Sequence, residues 1–125
     1  MKKTNDSTRK KGAQAEELAA DFLRQNGYTV IKRNYTVRGG ELDIIACNGD
    51  FVVFAEVKSR KNKDFGAAGE AVGKAKISHM IKCAERFLFE NRESPLVSGK
   101  SIRFDVIEVY TQSGELCHIK NIDIN

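Results

Sequence analysis

The sequence predicts a single α/β domain with two helices and five strands in the order α-β-β-β-α-β-β. Two segments repeat apolar residues at helical spacing, and several short runs are rich in β-branched and aromatic residues. Asn48-Gly49 marks a tight turn between two of these runs. The chain of 125 residues is about the size of one domain, and no repeat or Pro/Gly-rich linker divides it. We therefore expect one core and one functional site.

The helical spacing covers residues 13–26, with Gly27 as a stop, and about residues 70–90, ending before Pro95. The predicted strands cover residues 28–35, 42–47, 51–58, 102–110 and 116–124. Strands two and three flank the Asn-Gly turn, so we expect them to form an antiparallel hairpin.

The composition, 41% hydrophobic and 30% charged, is typical of an ordinary soluble globular protein. No apolar run approaches the roughly 18 residues of a membrane span, and no apolar segment follows the lysine-rich N-terminus to indicate a secretory signal. We therefore expect a cytoplasmic protein with no membrane partner. Cys47, Cys83 and Cys117 are widely spaced in apolar sequence, which favours reduced core thiols over disulfides or a thiolate metal site.

The net charge of +4 is concentrated at the N-terminus. Within residues 1–12, five lysines and arginines stand against one aspartate, so this segment carries the whole excess. We predict a basic, flexible arm over residues 1–12 and one α/β domain over residues 13–125. A basic arm favours polyanions such as nucleic acid through counterion release. A solvated terminus explains the same charge equally well.

Four charged residues of the hairpin carry the functional prediction. Side chains alternate along a strand, so Glu41 and Asp43 share one face of strand two, and Glu56 and Lys58 share one face of strand three. If the first two residues of the Asn48-Gly49-Asp50 segment form the turn, Glu41 lies opposite Glu56. If the last two form it, Asp43 lies opposite Glu56 and Glu41 lies opposite Lys58. In either register all four groups lie on one face of the sheet. A three-residue loop would break this arrangement unless a bulge restored it.

Three carboxylates this close repel one another unless a cation lies between them. With no histidine nearby, the set favours hard ions such as Mg²⁺ or Mn²⁺ over zinc. Magnesium binds through one or two carboxylates together with waters and substrate phosphate oxygens. The cluster therefore predicts phosphoryl chemistry, in which Lys58 holds the attacking water and stabilises charge on the phosphate. The alternative is a set of exposed salt-bridging residues, but the surrounding hairpin is apolar on both faces, which favours a functional cluster.

Around these residues the sequence resembles a known group of nucleases. A strand-borne aspartate, then Glu-Val-Lys at the end of the next strand, after a helix bearing glutamate, is similar to the pattern of the PD-(D/E)xK nuclease superfamily. More narrowly, four segments are similar to the small bacterial YraN-like family, also called UPF0102. These segments, spread over nearly the whole chain, are GELDIIA, FAEVKSR, FGAAGEAV and RFDVIEV.

The resemblance implies a restriction-endonuclease-like αβββαβ core, with a mixed central sheet flanked by helices, related to archaeal Holliday-junction resolvases. It implies that Asp43 and Glu56 are metal ligands and that Lys58 is the catalytic lysine. Glu41 would be a further ligand or a supporting acid. Glu16, in the first helix, would support the metal or its water. Because resolvases act as dimers, the analogy also implies a homodimer.

Basic residues flank the acidic cluster in sequence, as a phosphate-binding rim would. The candidate phosphate contacts are Arg38, Arg60, Lys74 and Lys76. The predicted function is therefore a metal-dependent endonuclease that cleaves DNA, with branched DNA as an expected substrate. Two alternatives stay open: a non-catalytic nucleic-acid-binding module, and an interaction protein whose acids bind a stabilising cation. We expect His79 and His118 to be structural or exposed, and Asp105 to form a hydrogen bond that supports the fold.

Overall fold

The computed structural model describes residues 3–62 and 73–124, with side chains from residue 12 onward. The elements follow the predicted order α-β-β-β-α-β-β. They are α1 (Lys3–Gln25), β1 (Thr29–Val37), β2 (Gly40–Cys47), β3 (Phe51–Arg60), α2 (Lys74–Glu90), β4 (Ser101–Tyr110) and β5 (Leu116–Ile119). The predicted α/β class is confirmed, and the arrangement is compatible with a restriction-endonuclease-like core.

The five strands form one mixed sheet in the order β1-β2-β3-β4-β5. The first three strands are antiparallel neighbours, β4 runs parallel to β3, and β5 runs antiparallel to β4. A parallel pair needs a crossover connection, and α2 lies in the connection between β3 and β4. The two helices cover opposite faces of the sheet.

Alternate residues of the central strands divide between the two helices. On β3, Val53 and Ala55 pack in the cluster under α1, whereas Val52 and Phe54 pack in the cluster under α2. We call these the α1 cluster and the α2 cluster. Because both faces of β3 are buried, its first half is a continuous apolar run rather than an alternating one. The charged residues at its end depart from that pattern.

The first helix begins earlier than predicted. It starts at Lys3 rather than at residue 13, so the predicted helix start is wrong. The added residues 3–12 include three lysines and one arginine, which favour helix, and no proline interrupts them. The division into a basic arm and a domain stays a prediction. The predicted start of the second helix near residue 70 and the FGAAGEAV segment lie outside the described residues.

A buried polar network ties β4 to β5. The Asp105 carboxylate lies 2.8 Å from Arg103 Nη2 and 2.7 Å from His118 Nε2, and Arg103 also reaches the Tyr28 hydroxyl at 2.6 Å. Asp105 accepts a further bond from the Asn121 backbone N–H at 2.9 Å. This bond holds the chain just after β5, which ends at Ile119 rather than at residue 124 as predicted.

Asp105 and His118 therefore have the structural role that the sequence predicted, and His79 is exposed. Cys47, Cys83 and Cys117 are free thiols, as expected. Neither helix of the described ranges combines the length and apolar character needed to cross a membrane.

We expect Asp105→Ala to lower the free energy of unfolding by about 3–5 kcal/mol, because it leaves the buried Arg103 without its anion. Burial opposes ionisation of Asp105, but the bonds from His118, Arg103 and Asn121 hold its pKa below the usual range. Urea denaturation near neutral pH measures the loss. A loss below about 1 kcal/mol would contradict a structural role for this network.

Candidate active site

A two-residue turn fixes the register of the β2–β3 hairpin. Asn48 N–H donates to the Phe51 carbonyl at 3.0 Å, which leaves Gly49 and Asp50 as the turn. The Asn48 side chain accepts hydrogen bonds from the backbone N–H groups of Asp50 and Phe51 at 2.9 and 2.8 Å. Of the two registers left open by the sequence, the structure has the one with the turn at 49–50.

The pairing of β2 with β3 stops just before the acidic residues. The last pair is Ile44 with Ala55, and the next pair in the same register would be Asp43 with Glu56. There the Asp43 carboxylate itself accepts a hydrogen bond from the Val57 backbone N–H at 2.8 Å. A side-chain oxygen thus takes a backbone donor of β3, and regular pairing ends where the two acids face each other.

The pairing of β1 with β2 is interrupted at the same level. Between the pairs Arg33–Ile44 and Tyr35–Leu42, the pair Asn34–Asp43 is missing. Asn34 has a φ of 53°, in the left-handed region. Asparagine tolerates this conformation better than most residues, because its short polar side chain bonds locally.

The sequence analysis did not select Asn34. An asparagine inside a β-rich run is nevertheless a usable signal, because asparagine is depleted in strands and enriched where the backbone leaves the extended region. It indicates an irregularity of the strand at that position.

The interruption changes the face that β1 presents. Arg33 Nη1 reaches Glu17 of α1 at 2.7 Å. Tyr35, only two residues later, packs edge-on against Phe87 of α2, with 5.7 Å between ring centroids. In a regular strand these two side chains would share one face.

The same change occurs on β2. Ile44 belongs to the α1 cluster, whereas Leu42 belongs to the α2 cluster. A Cβ on Gly40 would lie 2.6 Å from a carbonyl oxygen of α2, so this end of β2 presses closely against that helix. Simple alternation therefore does not bring Glu41 onto the face of Asp43. The prediction that Glu41 shares the face of Asp43 assumed regular alternation, which this end of β2 does not have, so the place of Glu41 in the site stays a prediction.

Asp43 and Glu56 form an interacting pair of carboxyl groups. The Glu56 side chain is only 12% exposed, and burial, together with the charge and hydrogen bond of Asp43, raises the pKa of Glu56 to about 7. Lys76 Nζ lies 3.2 Å from Glu56 Oε1 and opposes this rise. Among the described residues, no donor forms a hydrogen bond of suitable geometry with the buried Oε1 of Glu56. Lys76 Nζ is close enough, but its position meets the distance criterion only.

Glu16 of α1 belongs to the same electrostatic neighbourhood. Burial, followed by the charge of Asp43, raises the pKa of Glu16, and Glu41 adds to the rise. A hydrogen bond with Asn34 and the charge of Arg33, whose Nη2 lies 3.8 Å from Glu16 Oε1, act in the opposite direction. The residue that interrupts β1 is thus also a partner of the helical glutamate.

Lys58 lies on the same face of β3 as Glu56, because β3 pairs regularly with β4 over its whole length. Its partner in β4 is Glu108, which is fully buried. Glu108 accepts hydrogen bonds from Arg60 Nε and from the Tyr110 hydroxyl, both at 2.8 Å. Sequence analysis missed Glu108, although a glutamate inside an apolar strand is a visible signal.

The predicted basic residues occupy different places. Lys76 joins the acid pair through Glu56, whereas Arg60 is held in the sheet by Glu108. Arg38 is exposed in the turn between β1 and β2, and Lys74 is exposed at the start of α2. Of these four, only Lys76 contacts a predicted catalytic acid within the described residues.

The donor set fits a hard divalent cation held by few protein ligands. Among residues 12–62 and 73–124, no three Asp, Glu, His or Cys side chains are gathered into a metal shell. Magnesium, however, is commonly bound through one or two carboxylates, with waters and substrate phosphates completing the shell. Asp43 with the buried Oε1 of Glu56 fits that description.

A sequence model of the family described as "Uncharacterised protein family UPF0102" matches residues 15–109. The chain belongs to the UPF0102 family. A UPF0102 protein of Pseudomonas aeruginosa is 41% identical over 110 residues, 88% of this chain and 86% of the relative. One from Dictyoglomus thermophilum is 39% identical over 106 residues, covering 84% and 86%. One from Vibrio cholerae is 36% identical over 115 residues, covering 92% and 93%.

The raised pKa of Glu56 predicts that the effect of replacing this residue on the stability of this UPF0102 protein depends on pH. The pKa of Glu56 is raised in the folded state from its ordinary 4.5 to about 7, so its contribution to stability is greatest below pH 4.5 and is lost as the pH rises through about 7. We expect Glu56→Gln to stabilise the metal-free protein at about pH 8, by on the order of 2 kcal/mol, and to have little effect at about pH 5. Urea denaturation at both pH values measures this difference, and equal effects at both would contradict it.

Two substitutions of Asn34 separate the contribution of its backbone conformation from that of its side chain. Asn34→Gly keeps the left-handed conformation without strain, whereas Asn34→Ala should cost about 1 kcal/mol more in unfolding free energy. Both substitutions remove the bond to Glu16, so both should raise the Glu16 pKa further, measurable by carboxyl NMR. If the alanine variant were as stable as the glycine variant, the left-handed backbone would not be required.

Proposed function

We propose that this protein is a metal-dependent endonuclease of the PD-(D/E)xK superfamily that hydrolyses phosphodiester bonds of DNA. The observation that carries the proposal is the Asp43–Glu56 pair, located where the regular pairing of β2 and β3 ends. Two neighbouring carboxylates are costly in a partly buried place unless a cation joins them. The raised pKa of Glu56 expresses that cost in the metal-free protein.

Asp43 and Glu56 would hold Mg²⁺ or Mn²⁺, with Glu41 and Glu16 adding negative charge or a bond to a bound water. When bound, such an ion polarises a phosphoryl oxygen and lowers the pKa of a bound water. The protein itself contributes by holding the ligand carboxylates in position. Asp43 is fixed by the Val57 backbone N–H at 2.8 Å, so its carboxylate needs little reorganisation to serve as a ligand.

Lys58 would act on the phosphate and on the attacking water. Its ammonium extends from the same face of β3 as Glu56 and two residues farther along the strand. A fixed positive charge at that position stabilises the negative charge that builds up on the phosphate in the transition state. It also offers donors that orient a water for attack.

Lys76 has a double role in this proposal. In the metal-free protein its ammonium lies against Glu56 at 3.2 Å. With a divalent cation held by Glu56, the Lys76 ammonium would be available to a phosphate, and the exposed Arg38 and Lys74 would be further phosphate contacts. Arg60 would join them only by leaving Glu108, whose carboxylate lies 2.8 Å from its Nε. Specificity for branched DNA, a homodimer that cuts two strands, and action in the cytoplasm belong to the same proposal.

The Lys76–Glu56 ion pair is also the observation that favours the alternative, a nucleic-acid-binding module without turnover. A lysine that permanently neutralises the acid leaves less need for a metal ion. The two functions differ in one consequence. Only the enzyme needs Asp43 and Lys58 for cleavage of a bound strand.

We expect cleavage of linear, flap or four-way-junction DNA with Mg²⁺ or Mn²⁺ and none with chelator. Asp43→Asn and Lys58→Met should each lower the rate by about 100-fold or more. Asp21→Asn, an exposed acid on α1, serves as the matched control and should cleave normally. Mg²⁺ should also raise the melting temperature of the natural protein but not of Asp43→Asn.

Two outcomes would contradict the enzyme. Cleavage that persists in Asp43→Asn would place the activity elsewhere or in a contaminant. Salt-sensitive DNA binding with no cleavage under any metal condition would support the binding module instead.

A further inference from the structure

A groove lies between the β1–β2 turn and the exposed side of α2, away from the acid pair. It consists of two adjoining depressions of about 350 and 230 Å³. They share Val37 and Arg38 from the strand and turn, and Arg86 from α2, so they form one continuous surface. We call it the turn–helix groove.

The helical wall of the groove is one face of α2. Lys82, Arg86 and Phe89 follow one another at intervals of four and three residues, the spacing of neighbours on a helix surface. All three are exposed. A Cβ on Gly39 would lie 3.4 Å from Lys82 Nζ, so this ammonium lies beside the turn that carries Arg38.

Phe89 gives the groove an aromatic surface. It is 66% exposed, which is high for a large apolar side chain. The Arg92 guanidinium lies 4.5 Å from its ring centroid and donates a hydrogen bond to the Phe89 carbonyl at 2.7 Å. An exposed ring beside guanidinium groups is a surface on which a nucleic-acid base stacks.

The charge of the groove favours an anionic ligand. Glu90, one of its two carboxylates, is engaged by Arg86 Nε at 2.6 Å. Glu85 is the other. Arg38 and Lys82 form no ion pair within residues 12–62 and 73–124, so two positive charges remain available to phosphates.

We infer that the turn–helix groove binds single-stranded nucleic acid, with phosphates on Arg38 and Lys82 and a base stacked on Phe89. The inference rests on the proposed nuclease function, and it names the part of the substrate that lies beyond the cleavage site. Lys76, which contacts Glu56, precedes Phe89 by 13 residues on α2, which is about 20 Å of helix. This axial separation equals about six nucleotides at about 3.4 Å each. Thirteen residues also rotate the helix by a net angle of about 220°, so a strand that reached both places would pass around α2 as well as along it.

The exposed ring distinguishes a single strand from a duplex. In a duplex the bases are already stacked on one another and their faces are covered. A protruding phenylalanine stacks without cost on a base that has left the helix, such as one in a flap or at an open junction, whereas insertion into a duplex costs the unstacking of a base step.

The test measures binding of a fluorescent single-stranded oligothymidylate by anisotropy in chelator, where cleavage plays no part. Phe89→Ser should weaken binding about 10-fold, the loss of one base stack. Leu96→Ser, which changes another exposed apolar residue outside the groove, should leave the dissociation constant within about twofold.

A second pair of variants tests the phosphate contacts. Arg38→Gln should weaken binding and lower the slope of log K against log salt by about 0.7, the loss of one contact to a single strand. Arg24→Gln, which removes the same charge from exposed α1, should leave the slope unchanged.

Three results would overturn the inference. The first is an equal effect of Phe89→Ser and Leu96→Ser on binding, and the second is duplex binding that is as tight and as dependent on Phe89 as single-strand binding. The third is that Phe89→Ser abolishes self-association of the protein and leaves oligonucleotide binding unchanged. The last result would make the groove an interface between copies of the chain. If groove variants weaken binding but no metal supports cleavage, the inference stands and the nuclease proposal fails. If cleavage occurs and groove variants bind normally, the reverse holds.

Discussion

The candidate site depends on the loss of regular backbone pairing on both sides of Asp43. Toward β3, the Asp43 carboxylate accepts the Val57 N–H in place of a backbone bond. Toward β1, the left-handed Asn34 leaves the ladder. The sheet can lose these bonds because the rest of β3 is paired on both edges and buried under both helices. The interruption is what allows two carboxyl groups to meet beside a buried strand, and the raised pKa of Glu56 is the consequence.

Local sequence signals were sufficient for the scaffold of the site. Asn48-Gly49 predicted the hairpin. A two-residue turn allows two registers of strands two and three, and the structure has the one that places Asp43 opposite Glu56. The prediction for Glu41 assumed regular alternation through the whole strand. A single left-handed residue, Asn34 in the neighbouring strand β1, breaks that assumption. It acts on β2 through the pairing of the two strands, and the residue pattern of β2 alone does not reveal that pairing.

Contacts between residues that are distant in the chain could not be predicted from the pattern of residue types in the sequence. Lys76 and Arg60 were selected as phosphate contacts because they flank the acids in sequence. In the structure, Lys76 meets Glu56 and Arg60 meets the buried Glu108. Both pairings are set by the packing of α2 and β4 against β3, which brings together residues up to 48 positions apart. The end of β5 has a similar cause, because Asp105 on β4 takes the backbone N–H of Asn121.

The Lys76–Glu56 ion pair connects the charge of the site to the surface beyond it. A lysine contributes one positive charge at 3.2 Å from Glu56, whereas a divalent cation between Asp43 and Glu56 would contribute two and would interact with both acids. Coulombic attraction alone therefore favours the cation over the lysine, and the cost of removing water from the cation opposes it. Displacement would turn the Lys76 ammonium toward solvent at the beginning of α2, the helix that also carries Lys82 and Phe89. Under the proposed function, Lys76 would thus neutralise Glu56 in the metal-free protein and would contact a substrate phosphate in the metal-bound protein.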